Sequence, residues 1–112
     1  MIQKIKLENI YDPGFEEVYD LYTSSFPSYA RRTWADLAIV FSKKQNFNCC
    51  SLHNETGFVG FICYWEFEKF VYIEHFAIHP DLRNKGLGTE FMKAFVKEYD
   101  LPEPLPPVIT KY

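Results

Sequence analysis

Long apolar runs are missing from this sequence. None approaches the roughly 18 to 20 residues that a membrane span needs, and the opening stretch MIQKIKLENI holds no apolar core of a secretory leader. A membrane protein is disfavoured, and a cytoplasmic chain is the expectation. Cysteine is scarce, 3 in all. The adjacent Cys49 and Cys50 would point to opposite faces of a strand, so with Cys63 they suggest neither a disulfide framework nor a metal knuckle, but buried, reduced thiols. Positive charge is short as well: a net charge of -3 offers no broad field for a polyanion, which argues against a nucleic-acid partner. His53, His75 and His79 stand apart from any Cys or carboxylate at ligand spacing, so no metal is expected. Length excludes a second core, and residues 1–112 are read as one domain.

Aromatic residues, by contrast, are abundant, with 11 Phe and 8 Tyr, far more than a disordered chain carries. Ile2, Ile5 and Leu7 read as a short first strand, closed by the turn cluster Asp12-Pro13-Gly14. Phe15, Val18, Tyr19 and Tyr22 recur at helical spacing up to Ser25, ahead of Phe26-Pro27. Thr33 can cap a second helix, with Asp36 three residues on and Trp34, Leu37, Ala38 and Phe41 as its apolar face. From Asn48 the pattern changes. The segments 48–53, 57–66 and 70–79 are aromatic and β-branched, separated by Asn54-Glu55-Thr56 and Glu68-Lys69, which predicts hairpin-linked antiparallel strands. Leu87, Phe91, Ala94, Phe95 and Tyr99 return to helical spacing, Pro102, Pro104, Pro106 and Pro107 stop that helix, and Val108-Ile109-Thr110 begins one more strand.

The informative stretch joins the last of the three hairpin strands to the last helix: His79-Pro80-Asp81-Leu82-Arg83-Asn84-Lys85-Gly86-Leu87-Gly88-Thr89. A strand that feeds a glycine-containing loop opening a helix gathers unpaired backbone N–H groups and the positive end of the helix dipole at one spot, which suits a phosphate. Gly86 and Gly88 remove β-carbons that would block close approach, and Arg83 and Lys85 add charge. Neither a P-loop, G-x-x-x-x-G-K-[ST], nor an early Rossmann G-x-G-x-x-G is present.

What is present, Arg83-x-x-Gly86-x-Gly88 behind the strand Tyr72-Ile73-Glu74-His75-Phe76-Ala77-Ile78-His79-Pro80, resembles the acetyl-CoA signature Q/R-x-x-G-x-G/A of the GNAT acetyltransferase superfamily. The order strand, two helices, three antiparallel strands, signature loop and long helix is similar too, over essentially the whole chain. The resemblance implies an α/β (α+β) acyl-CoA N-acyltransferase fold, a central mostly antiparallel sheet flanked by helices. It also implies that this partial domain lacks the family's usual C-terminal helix and hairpin.

By the same resemblance, acetyl-CoA is the co-substrate. Its pantetheine arm would lie along the fourth strand on main-chain groups of Phe76, Ala77 and Ile78, and its pyrophosphate on the amides of Arg83, Asn84, Lys85, Gly86, Leu87, Gly88 and Thr89. The acceptor would be a primary amine of a small molecule or peptide. A lysine-like amine is almost wholly protonated at neutral pH and must lose a proton before it attacks. Glu74 is the candidate base, acting directly or through water, with a structural ion pair or hydrogen bond in the sheet as the competing role. His75 should face away from Glu74 by strand alternation and be a packed or hydrogen-bonded histidine. Relatives line the acceptor side with the region between the first two helices, here Tyr29, Arg31, Arg32 and Trp34, and the two arginines hint at a carboxylate-bearing acceptor. The tyrosine that commonly protonates the leaving thiolate has no counterpart, since Tyr112 falls where a fifth strand would run. Two readings follow: an N-acetyltransferase, or a catalytically impaired acetyl-CoA-binding or self-associating module. Either way an uncovered sheet edge leads to the expectation of a homodimer or larger assembly.

Overall fold

The computed structural model describes residues 1–43 and 45–100. Its elements run β1 (Gln3–Lys6), α1 (Phe15–Ser25), a 3-10 turn (Ser28–Ala30), α2 (Trp34–Lys43), β2 (Phe47–Asn54), β3 (Gly57–Glu66), β4 (Val71–Ile78), a second 3-10 turn (Pro80–Leu82) and α3 (Leu87–Tyr99). The order of elements expected from periodicity is the one observed. The prolines from Pro102 and the segment Val108-Ile109-Thr110 lie outside the described residues. Within them α3 ends at Asp100, which takes the left-handed conformation at φ 51°.

The four strands form one antiparallel sheet in the order β1-β2-β3-β4. Strand alternation divides the core between its two faces. On one, Phe15, Val18, Leu21 and Tyr22 of α1 and Leu37 and Val40 of α2 pack with Phe47, Cys49, Phe61, Cys63 and Ala77. On the other, Phe91 and Phe95 of α3 pack with Cys50, Leu52, Val59, Ile62 and Tyr64. Cys49 and Cys50 do point opposite ways, and all three cysteines are buried free thiols. Thr33 caps α2 through its Oγ1, which accepts from the Asp36 N–H at 3.1 Å. Two helical stripes differ from expectation at single positions. Trp34 is 48 % exposed while Val40 is buried, and Ala94 is exposed, because each helix turns a narrower wedge to the sheet than its apolar residues span.

Two local features of the sheet position everything that follows. The first is a bulge: Cys63 pairs with His75, but Tyr64 pairs with Ile73, so Glu74 is the extra residue of β4. Alternation breaks there, and the consecutive side chains of Glu74 and His75 both turn to the α1/α2 face. The expectation that they face opposite ways is thereby corrected. The second is the close approach of β3 and β4 at Gly60, where a β-carbon would stand 2.3 Å from the Ala77 carbonyl oxygen.

Candidate functional site

The strand β4 has β3 on one side only among the described residues. His79 N–H donates to the Val59 carbonyl at 2.8 Å, and this bond sets the phase of the ladder. Antiparallel ladders alternate bonded with non-bonded pairs, so Phe61 and Ala77 face each other in a bonded pair, while Phe76 and Ile78, opposite Ile62 and Gly60, turn their N–H and C=O groups outward. Of the three residues expected to offer main-chain bonds, Phe76 and Ile78 face the open edge. Ala77 N–H is spent on β3. The outward carbonyl of Ile78 already accepts from Arg83 Nε at 2.8 Å.

Beyond that edge, the loop turns into α3 at Gly86, whose φ of 80° is a left-handed conformation suited to glycine, and Asn84 shares it at 65°. No side chain caps this helix end. The first internal bond of the turn is Glu90 N–H to the Gly86 carbonyl at 2.9 Å, which leaves the N–H groups of Leu87, Gly88 and Thr89 without partners inside the helix. A β-carbon added at Gly88 would lie 3.7 Å from Ile78 and 3.8 Å from Phe76, an ordinary packing distance. Gly88 therefore faces the side chains of Ile78 and Phe76 with room for a methyl. Arg83 is held at two atoms: besides the Nε bond to Ile78, its Nη2 donates to Ser25 Oγ at 3.3 Å, tying the loop to the end of α1. Lys85 stays exposed.

On the α1/α2 face, a cleft of about 370 Å³ opens between the 3-10 turn after α1 and the first half of β4, lined by Tyr29, Arg31, Arg32, Asp36, Tyr72 and Glu74 among others. Three of the four residues expected on an acceptor side are here. The fourth, Trp34, instead stands edge-on against Phe15 and Tyr19 of α1, with ring centroids at 5.6 and 5.1 Å.

Glu74 sits at the floor of this cleft in a dense set of donors. Arg32 grips both oxygens, Nε to Oε2 and Nη2 to Oε1, each at 2.7 Å, and Trp65 Nε1 donates to Oε1 at 3.1 Å. Burial of the carboxylate opposes its charge, but hydrogen bonds from His75, Arg32 and Trp65 outweigh this and hold its pKa at about 2, below the ordinary 4.5. His75 is buried between Tyr22 and Phe26 and donates its Nε2–H to the Ala30 carbonyl at 2.7 Å, as a carbonyl can only accept. Its Nδ1 lies 3.5 Å from Glu74 Oε2, an ion pair whenever the ring is protonated. His79 ends β4, and its Nδ1 accepts from the Asp81 N–H at 3.2 Å. Among the described residues no group of three or more His, Cys, Asp or Glu gathers into a metal-binding arrangement.

The ion pair and hydrogen bond weighed as the competing role of Glu74 are present, but sequence reasoning missed its partner Arg32, 42 residues away, and the bulge that aims Glu74, which no glycine or proline marks. It also passed over Gly60, although a glycine inside a strand is a readable sign of close backbone approach.

Comparison with known proteins agrees with this arrangement. Residues 15–100 match the model of the acetyltransferase (GNAT) family. A solved structure from Bacteroides thetaiotaomicron, described as an acetyltransferase from the GNAT family, is 28% identical with a TM-score of 0.75, covering 88% of this chain and 55% of its own. The chain thus spans about half the length of that structure. A ribosomal-protein-alanine N-acetyltransferase from Brucella melitensis biovar Abortus 2308 is 16% identical with a TM-score of 0.65, covering 97% of this chain and 82% of its own, a likeness of fold alone. No match is found among curated proteins.

Proposed function

The chain belongs to the GNAT acetyltransferase family, and on that premise we propose that it transfers an acetyl group from acetyl-CoA to a primary amine of a small molecule or peptide. The observation that carries the reading is the pairing of the uncapped amino end of α3 with the edge of β4 that is open among the described residues. The amides of Asn84 to Thr89 would take the pyrophosphate, since they offer several donors and a positive dipole end to an anion. The outward groups of Phe76 and Ile78 would take the pantetheine as an added strand.

In the reaction, the neutral amine nitrogen attacks the thioester carbonyl carbon, the C–S bond breaks and the CoA thiolate leaves. An outward amide of β4 aimed at the carbonyl oxygen would stabilise the oxyanion, an effect worth about 3 kcal/mol per donor in well-studied acyl-transfer sites. Glu74 is the proposed catalytic carboxylate at the amine end. With a pKa of about 2 it is a poor store for a proton. Its proposed contribution is to order the water that carries the released proton away.

A second reading, an acetyl-CoA-binding module impaired in turnover, is favoured by the Arg32 clamp, which occupies both oxygens of Glu74. Release of free CoA thiol over a panel of polyamines, aminoglycosides and peptide N-termini separates the two functional readings. Turnover with any amine supports the transferase. Saturable acetyl-CoA binding without turnover on the whole panel would establish the impaired module instead.

A further inference from the structure

Arg31 is the charged group that the proposed chemistry leaves unused. Its Nε is buried and makes no hydrogen bond among the described residues. Its neighbour Arg32 is fully engaged by Glu74. Arg31 and Asp36 line the same cleft, and neither enters an ion pair among the described residues. A buried donor without a partner carries a desolvation cost, larger on a charged group, and an arriving acceptor would relieve it. We propose that Arg31 is the anchor for a carboxylate carried by the amine acceptor, so that the substrate class is an amino carboxylate. This inference rests on the reading of the cleft as the acceptor side.

Charge balance selects the carboxylate over a phosphate. The cleft holds two guanidinium groups, Arg31 and Arg32, and two carboxylates, Asp36 and Glu74. Arg32 and Glu74 neutralise each other at 2.7 Å, which leaves Arg31 and Asp36, so a dianion entering beside Asp36 would bring two negative charges to a single free guanidinium. A planar monoanion matches a single guanidinium fork in a bidentate pair. The remaining carboxylate, Asp36, suits the ammonium end of a zwitterion. Two sources share this chemistry, a free amino acid and an acidic residue at the N-terminus of a peptide.

The test uses matched pairs that differ only in the carboxylate: L-alanine against L-alaninamide, and the peptide amide Asp-Gly-Gly against Asn-Gly-Gly. NMR titration of the full chain gives affinities, and thiol release gives kcat/KM. In the wild type, one pair should show an advantage of about tenfold or more for the carboxylate member, and which pair does so identifies the source. In Arg31→Ala that ratio should fall to near one, and Arg31→Lys, which keeps the charge but loses the fork, should retain part of it. Arg31→Gln serves if the alanine variant fails to fold. Equal affinity within both pairs in the wild type, or a ratio that survives in Arg31→Ala, overturns the inference. Absence of thiol release with every amine, while Arg31-dependent discrimination in binding persists, overturns the transferase reading and leaves the anchor in place.

Discussion

Gly86 and Gly88 stand two residues apart in the same loop, yet the structure assigns them different duties, and alanine at each separates those duties. At Gly86 nothing lies within 4 Å of an added β-carbon, but φ is +80°. Alanine there takes on the left-handed penalty of roughly 1–2 kcal/mol, partly offset by about 0.5 kcal/mol or more from a stiffer unfolded chain. The net loss is about 1 kcal/mol, which in a domain of this size lowers the melting temperature by about 4 °C or more. At Gly88 the balance reverses. No positive φ is needed, the new methyl meets Ile78 and Phe76 at 3.7 and 3.8 Å, and alanine is the better helix former by up to about 1 kcal/mol. Gly88→Ala should therefore melt at or above the wild-type temperature. The same methyl packs on the side chains of Ile78 and Phe76, in keeping with the G/A that the signature carries at this position. Acetyl-CoA affinity should therefore stay within about twofold of the wild type in Gly88→Ala, whereas Gly86→Ala, which strains the backbone that aims the loop amides, should lose about tenfold or more. Differential scanning calorimetry and titration calorimetry on the two variants measure both quantities. A Gly86→Ala protein that binds acetyl-CoA as tightly as the wild type would refute the argument, because the left-handed turn would then aim no ligand-binding amides.

Three further expectations follow from the sheet and the cleft. Glu74→Gln should lower kcat most strongly below the amine's pKa while leaving acetyl-CoA affinity nearly unchanged, and wild-type rates from about pH 6 to 9 would show Glu74 to be structural. The folded pKa of Glu74, about 2 against an ordinary 4.5, is depressed, so its contribution of about 3 kcal/mol is present above pH 4.5 and is lost as pH falls toward 2. Acid unfolding of Arg32→Ala should begin at a higher pH than in the wild type, and coincident acid limbs would contradict the pairing. Gly60→Ala drives a β-carbon to 2.3 Å from the Ala77 carbonyl, so it should cost about 1–3 kcal/mol and disturb the edge of β4, measurable by urea unfolding together with loss of acetyl-CoA affinity.

Most of the fold was legible because its signals are local. Thr33 with Asp36, the glycines before α3, and the change from helical to alternating spacing near Asn48 each act within a few residues. The glycine-containing loop that opens α3 was legible for the same reason. What escaped is set by contacts distant in sequence. The Arg32–Glu74 grip and the Arg83 tie to Ser25 depend on how α1, its following turn and β4 pack. The bulge at Glu74 has no composition of its own, and it overturned the alternation that set His75 opposite Glu74. Ala77 illustrates a subtler limit. Residue type cannot say which of three consecutive amides faces the open edge; only the ladder phase fixed by the His79 to Val59 bond does so.

The central claim, that a CoA thioester binds between the amino end of α3 and the outer edge of β4, is tested most directly by amide-resolved NMR titration of the isotope-labelled chain with acetyl-CoA. The account predicts saturable shifts concentrated on the amides of Phe76, Ile78 and Asn84 to Thr89, with Ala77, whose N–H faces β3, moving least among residues 76 to 78. Saturable binding that shifts amides elsewhere and spares the α3 amino end, or no saturable binding by the folded protein at millimolar acetyl-CoA, would contradict it.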